Sequence, residues 1–355
     1  MIGQRLKLAR AASGLSLREL QLAIDNLVTA QAIGKYERDE DMPSSRVLSA
    51  LADALGVSEN YLLAADEMVL DGVEFRKKEI TSKREEAFVE GQALHLLERY
   101  LTIEDVLGLA SVVWDRPREA PYPINEVADA ENAARALRTH WGLGIDPILN
   151  LSELLEEHGI KILSVDLSDI DGLTANVRRK NGEPIPVIAV KGNTWSERKR
   201  FTLAHEVGHM VMDVRSGVNA EKAANRFAGA FLMPTEALWR EIGKHRTIIS
   251  LGEFLRLKQL FGASFQAITY RCHDLGIISD AAYRRLFQVF NERGWRKPPY
   301  EELGAIPPHE EQPRRMERLC FRALAEGLIS EAKAAEILGT SVRNLTRLMD
   351  QPSLA

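Results

Sequence analysis

Along the first 65 residues the apolar positions come in short bursts at spacings of three and four. They run through Ile2, Leu6, Ala9 and Leu15, then Leu17–Ile24, Val28–Glu37 and Val47–Leu55, and close at Tyr61-Leu62-Leu63. Such spacing puts each burst on one face of a helix and predicts a five-helix bundle with an inward apolar side. Ser16-Leu-Arg-Glu19 is a capping box for the second helix, and Thr29 opens the third. The turn between them, Asp25-Asn26-Leu27, contains an asparagine that tolerates left-handed backbone. Two short helices joined by a tight turn predict a helix-turn-helix.

Residues 66–120 carry mixed-sign charge runs, Arg76-Lys-Lys-Glu79 and Lys83-Arg-Glu-Glu86, and are predicted as a helical spacer with a solvated face. Arg116-Pro-Arg-Glu-Ala-Pro-Tyr-Pro123 breaks the chain. Residues 121–245 then mix periods. Helices are predicted over Ile124–Trp141 and Asp146–His158, an alternating strand over Gly159–Val165, and further strands over Leu173–Arg178 and Pro186–Val190, packed beside the next helices. Asn193-Thr-Trp-Ser196 is expected to cap a long helix through Met210, and a second helix runs from Glu221 until Pro234 ends it. Residues 246–355 are predicted as a C-terminal helical domain, with helices over Ser250–Phe261, Ser264–Gly276 and Ser279–Glu292. Its closing helix-glycine-helix stretch, Ser330–Leu348, has no strong basic face and is read as a packing hairpin rather than a second DNA reader. The fold class expected is mostly α, with a small α+β domain between two helical ones.

At 355 residues, 45% hydrophobic and 27% charged, the chain has material for two or three globular domains. Two cysteines, Cys272 and Cys320, exclude a disulfide framework, and no stretch approaches the roughly 18 apolar residues of a membrane span. A cytoplasmic protein without membrane association is the expectation. A net charge of −5 argues against non-specific coating of nucleic acid while leaving room for a local DNA-reading surface.

The chemistry concentrates in Phe201-Leu-Ala-His-Glu-Val-Gly-His-Met. His205 and His209 are four apart, so on a helix their Cβ atoms lie roughly 5–6 Å apart on one face and can share a metal ion. Glu221, at the head of the next helix, supplies a third ligand, provided the two helices approach closely. Alanines at 223, 224, 228 and 230, and a helix-interior glycine at 208, allow that approach. Three protein ligands on zinc leave one position for water, and Glu206 beside it is placed as general base of a peptide hydrolysis.

These residues resemble the ImmA/IrrE family of zinc metallopeptidase-like proteins. The match rests on H-E-x-x-H at 205–209, Glu221-Lys-Ala-Ala-Asn225, the Phe227–Pro234 run and the stretches 171–175 and 186–190. The resemblance implies cleavage of a helix-turn-helix repressor in a stress or mobile-element response. The first 65 residues resemble the phage-repressor-like XRE helix-turn-helix family, notably Gln31-Ala-Ile33-Gly-Lys-Tyr36-Glu37 and Leu55-Gly-Val-Ser58. That likeness implies that Thr29, Ala30, Gln31, Gly34 and Lys35 face operator DNA while Ile33 and Tyr36 pack inward. Gln31 would read adenine, Lys35 and Arg38 would contact phosphate, and a homodimer would span two half-sites. A competing reading keeps the DNA-binding part and makes the metal domain a sensor or scaffold without proteolysis.

Overall fold

The computed structural model of the chain describes residues 2–63, 69–77, 83–165, 170–178 and 184–350. It opens with helices α1 (Gly3–Ala12), α2 (Leu17–Ala23), α3 (Ala30–Glu37), α4 (Ser45–Leu55) and α5 (Glu59–Leu63). Strand β1 (Val69–Lys77) and the long helix α6 (Lys83–Val106) follow. Then come β2 (Tyr122–Ile124), α7 (Ala130–His140), α8 (Leu151–Glu157), β3 (Lys161–Val165), β4 (Ile170–Arg178) and β5 (Ile185–Lys191). Helix α9 (Ser196–Val211), strand β6 (Met212–Val214) and helices α10 (Ala220–Leu232) and α11 (Thr235–Ile242) lead to the last part. That part is helical: α12 (Leu251–Phe261), α13 (Phe265–Asp274), α14 (Asp280–Glu292), α15 (Arg315–Ala325), α16 (Glu331–Leu338) and α17 (Val342–Asp350). A mostly helical chain with a small α+β part is therefore the observed class. The chain forms two compact units, Met1–Val113 with Gly159–Ala189 and Arg314–Ala355, and Trp114–His158 with Val190–Pro313.

In the first unit the amino-terminal helices close around Leu6, Leu20, Ile33, Leu51 and Leu62, each fully buried. Ser16 forms the expected capping box with Glu19, and Thr29 caps α3 by accepting from the Ala32 amide. Residues 66–120 depart from the expected helical spacer at two points. Val69–Lys77 is a strand, paired antiparallel with β4 from Val69↔Arg178 to Lys77↔Ile170, at the edge of a four-stranded sheet ordered β1-β4-β5-β3. Helix α6 is a packed spine. Its Ala93, Leu97, Tyr100 and Leu101 share one core with Leu163, Val177 and Val187 of the sheet and with Leu319, Ala334 and Leu345 of the last three helices. On its other side α6 abuts α1 so closely that a Cβ on Gly91 would lie 2.7 Å from the Ala12 amide nitrogen. Arg5 and Glu98 form a buried ion pair at that contact, 3.2 Å apart. Of the charges read as a solvated face, Arg76 and Lys77 close the strand, 78 and 79 lie outside the described residues, and 83–86 open α6, whose later apolar residues are what pack.

The second unit holds the expected helices after residue 249. Ser250, Ser264 and Ser279, read as the first residues of three helices, lie just outside α12, α13 and α14 and cap them through their side chains. Helix α8 begins only at Leu151, because the Asn150 side chain caps the Glu153 amide, so 146–149 lie outside it. The expected Asn193–Ser196 cap of α9 is absent as well, since no side chain caps that helix. A distant segment serves its orphan groups instead. The Ser196 amide donates to the Ile306 carbonyl at 3.1 Å, and the Ile306 amide donates back to Glu197 at 3.1 Å. Buried ion pairs fix the same end of α9, with Lys258 between Glu197 (2.6 Å) and Glu302 (3.1 Å), and Arg200 against Glu311 (2.7 Å). A third ionic knot ties four helices together: Glu131 of α7 accepts from Arg271 of α13 (2.6 Å), Arg226 of α10 (3.1 Å) and Thr235 of α11 (2.8 Å).

Candidate metal centre

Helix α9 is buried nearly all round, so it is a core helix that presents its chemistry to α10. The close approach expected from the sequence is present. A Cβ on Gly208 would sit 3.0 Å from Phe227 Cδ1, and Ala223, Ala224, Ala228 and Ala230 are all buried. Asn219 caps α10 by accepting from the Lys222 amide, which leaves Glu221 in the first turn, where the helix dipole favours a carboxylate.

The predicted triad converges. His205 and His209 turn their Nε2 atoms toward each other at 3.0 Å, and Glu221 brings one carboxylate oxygen to each ring, 3.4 Å from His205 Nε2 and 3.3 Å from His209 Nε2. Among the described residues this is the one group of three or more such side chains able to hold a metal ion. Donors around a tetrahedral ion with bonds of about 2.0–2.1 Å stand about 3.3–3.4 Å apart, and the three contacts here, the two from Glu221 made by different carboxylate oxygens, run from 3.0 to 3.4 Å. Burial grades across the triangle, with the His205 side chain fully buried, His209 a quarter exposed and Glu221 61% exposed, so the carboxylate side faces solvent. Glu206 is buried one residue on from His205.

Asn225 enters as a residue whose part was not assigned from sequence. His205 Nδ1 donates to Asn225 Oδ1 at 2.9 Å, which fixes the ring orientation and leaves the Nε2 lone pair aimed at the ion position. Its signal was present: Asn225 lies four residues after Glu221, one turn along the same face of α10.

At the amino-terminal motif, Asp25 and Asn26 take left-handed backbone, with φ of 54° and 56°, so the turn is made without glycine. Gln21 braces it, donating to Asn26 Oδ1 and accepting from the Ala30 amide, both at 2.8 Å. Thr29, Gln31 and Lys35 are exposed, Ala30 is half-buried, and Ile33 and Tyr36 pack inward. Gly34 departs from its expected exposed position. It is buried, and a Cβ there would lie 3.5 Å from Leu17 of α2, because the two helices cross at that point. Arg38 is exposed, but its guanidinium is held bidentate by Glu40 at 2.7 and 2.8 Å. That hydrogen bond raises the pKa of Arg38 and lowers that of Glu40.

No helix among the described residues is long and apolar enough to cross a membrane. Residues 6–62 match the family model for a helix-turn-helix, and residues 155–273 match that of the M78 peptidases, described as an IrrE N-terminal-like domain. No curated protein and no solved structure matches the chain. The chain thus joins an XRE-type helix-turn-helix to an IrrE/ImmA-like peptidase domain, a pairing that fits a DNA-binding regulator fused to a metallopeptidase.

Proposed function

From that pairing we propose a regulator in which residues 1–65 read operator DNA and residues 121–245 form a zinc-dependent endopeptidase acting on a protein substrate, a helix-turn-helix repressor, in a stress or mobile-element response. The observation that carries the peptidase half is the convergence of His205, His209 and Glu221, with Glu206 next to the first of them on the same buried helix. His205, His209 and Glu221 would hold the ion, and Asn225 would hold His205. When bound, zinc supplies a Lewis acid that brings the pKa of water from 15.7 down toward about 7. The Glu206 carboxylate accepts the proton of the attacking water and returns it to the leaving amine. Glu206 is buried, which keeps its carboxylate away from bulk solvent.

For DNA, the exposed Thr29, Gln31 and Lys35 of α3 are the reading surface. Gln31 offers an amide of the kind that pairs bidentate with adenine, and a homodimer in the cytoplasm spans two half-sites.

The test separates the ion from the base. Glu206→Gln should keep near-stoichiometric zinc by elemental analysis while repressor cleavage in the host falls by about 10²–10⁴. Glu221→Ala should lose most of the zinc. Host cells in which Glu206→Gln matches wild type and Glu221→Ala does not would establish a sensor or scaffold in place of a peptidase.

A further inference from the structure

Helix α17, the last described element, belongs to neither proposed activity. Capped by Ser341, whose Oγ accepts from the Asn344 amide at 3.2 Å, it is anchored by a single fully buried side chain, Leu345. Three of its nine residues are exposed large apolar side chains: Val342 (42%), Leu348 (48%) and Met349 (50%). Isolated exposed apolar residues are ordinary, and Leu348 is one, lying about 100° or more from the other two beyond the buried Leu345; Val342 and Met349 instead share one flank of the helix.

We propose that α17 is a self-association surface that packs antiparallel against α17 of a second copy of this chain. At about 100° per residue, Val342, Thr346 and Met349 fall within roughly 60° of one another on one flank, with Arg343 and Asp350 side by side along its edge. A two-fold axis between positions 346 and 347 relates position 343 to position 350. In that arrangement Arg343 faces the partner's Asp350 at both ends, Val342 packs near the partner's Met349, and the small Thr346 sits at the crossing. A stripe with opposite charges at its two ends is self-complementary under a two-fold, as an isologous interface requires. Both Arg343 and Asp350 are exposed. A nine-residue helix covers less than the roughly 1,200 Å² of a standard interface, so the dimer is reversible. The surface is independent of the metal centre and of α3.

Sedimentation velocity on the full chain without DNA, from about 1 to about 300 µM, tests it. The expected result is concentration-dependent dimerisation that Met349→Glu weakens at least about tenfold. Arg343→Glu and Asp350→Arg should each weaken it too, while an equimolar mixture of the two variants should associate, because every facing pair is then of opposite sign. The substituted residues are exposed, and unchanged thermal midpoints would show that the fold is retained. A wild type that stays monomeric throughout overturns the proposal, as does a dimer indifferent to all three changes. If Arg343→Glu leaves the mass unchanged but lowers DNA affinity, α17 is a nucleic-acid surface and the proposal also fails.

Discussion

Replacing Gly208 by alanine tests whether close helix approach is what assembles the metal ligands. In a helix interior the change should gain about 1 kcal/mol from propensity alone. The added methyl, however, would lie 3.0 Å from Phe227 Cδ1, 3.2 Å from Cγ and 3.3 Å from Cβ. Carbon atoms rest at about 3.5–4.0 Å, so roughly half an ångström must be recovered. Phe227 is fully buried and stacked on Phe231 with ring centroids 5.7 Å apart, so its ring has little room to turn. Overpacking of this kind costs about 1–3 kcal/mol, leaving a net loss of roughly 0–2 kcal/mol in the metal-free protein. The larger effect should fall on the site. Glu221 is carried by α10 and both histidines by α9, so a shift of a few tenths of an ångström changes every histidine–carboxylate edge, now 3.3 and 3.4 Å. A loss in zinc affinity of about 10- to 100-fold is expected, the range typical of disturbing a ligand's support. Chelator competition measures it, with chemical denaturation of the metal-free protein alongside. Phe227→Leu in the same chain should recover much of the loss by opening space for the methyl. The reasoning is refuted if Gly208→Ala is about 1 kcal/mol more stable with unchanged affinity, since the glycine would then be only a propensity defect.

Asn225→Ala should lower zinc affinity about 10- to 100-fold with little change in fold, because His205 loses the acceptor that holds its ring; competition titration against wild type checks it. Glu131 should give the chain an acid-sensitive limb. Burial raises the pKa of its carboxyl, but Arg271, Thr235 and Arg226 more than offset this and hold it at about 2, against an ordinary 4.5. Its contribution is therefore complete above about pH 4.5 and lost as pH falls toward 2, worth roughly 2–3 kcal/mol after allowing for partial exposure. Urea denaturation at pH 6 and pH 3 should show a smaller difference in Glu131→Gln than in wild type. Gln31→Ala should relax base preference at one step of an inverted-repeat operator at a cost of roughly 1–3 kcal/mol, read by selection from random duplexes. An unchanged preference would place recognition elsewhere on α3.

How far the structure could be read from the sequence depended on how far apart the interacting residues lie along the chain. Ser16, Thr29, Ser250, Ser264 and Ser279 cap helices by bonding amides three residues on, so each cap is written within one turn of sequence. His205, His209 and Glu221 were legible for the same reason: one pair shares a helix face, and the small residues that let the next helix approach lie within about two dozen positions. Gly34 was misplaced because its burial comes from the crossing with α2 rather than from α3's own periodicity. The head of α9 looked like a side-chain cap, yet its amide is satisfied by Ile306, 110 positions away, and nothing local announces that bond. Strand β1 was obscured in two ways. Its partner β4 lies about a hundred residues downstream, and Asp71, Glu74, Arg76 and Lys77 give an edge strand the charge pattern of a solvated helix. Once that strand pairs with β4, the segment before α6 is part of the sheet, and α6 cannot be a passive spacer. It packs the sheet's core on one side and holds α1 through Gly91 and the Arg5–Glu98 pair on the other. The amino-terminal helices are therefore fastened to the sheet by a buried contact. A substitution such as Gly91→Leu should loosen the DNA-reading bundle without touching α3, a coupling that the motifs alone do not contain.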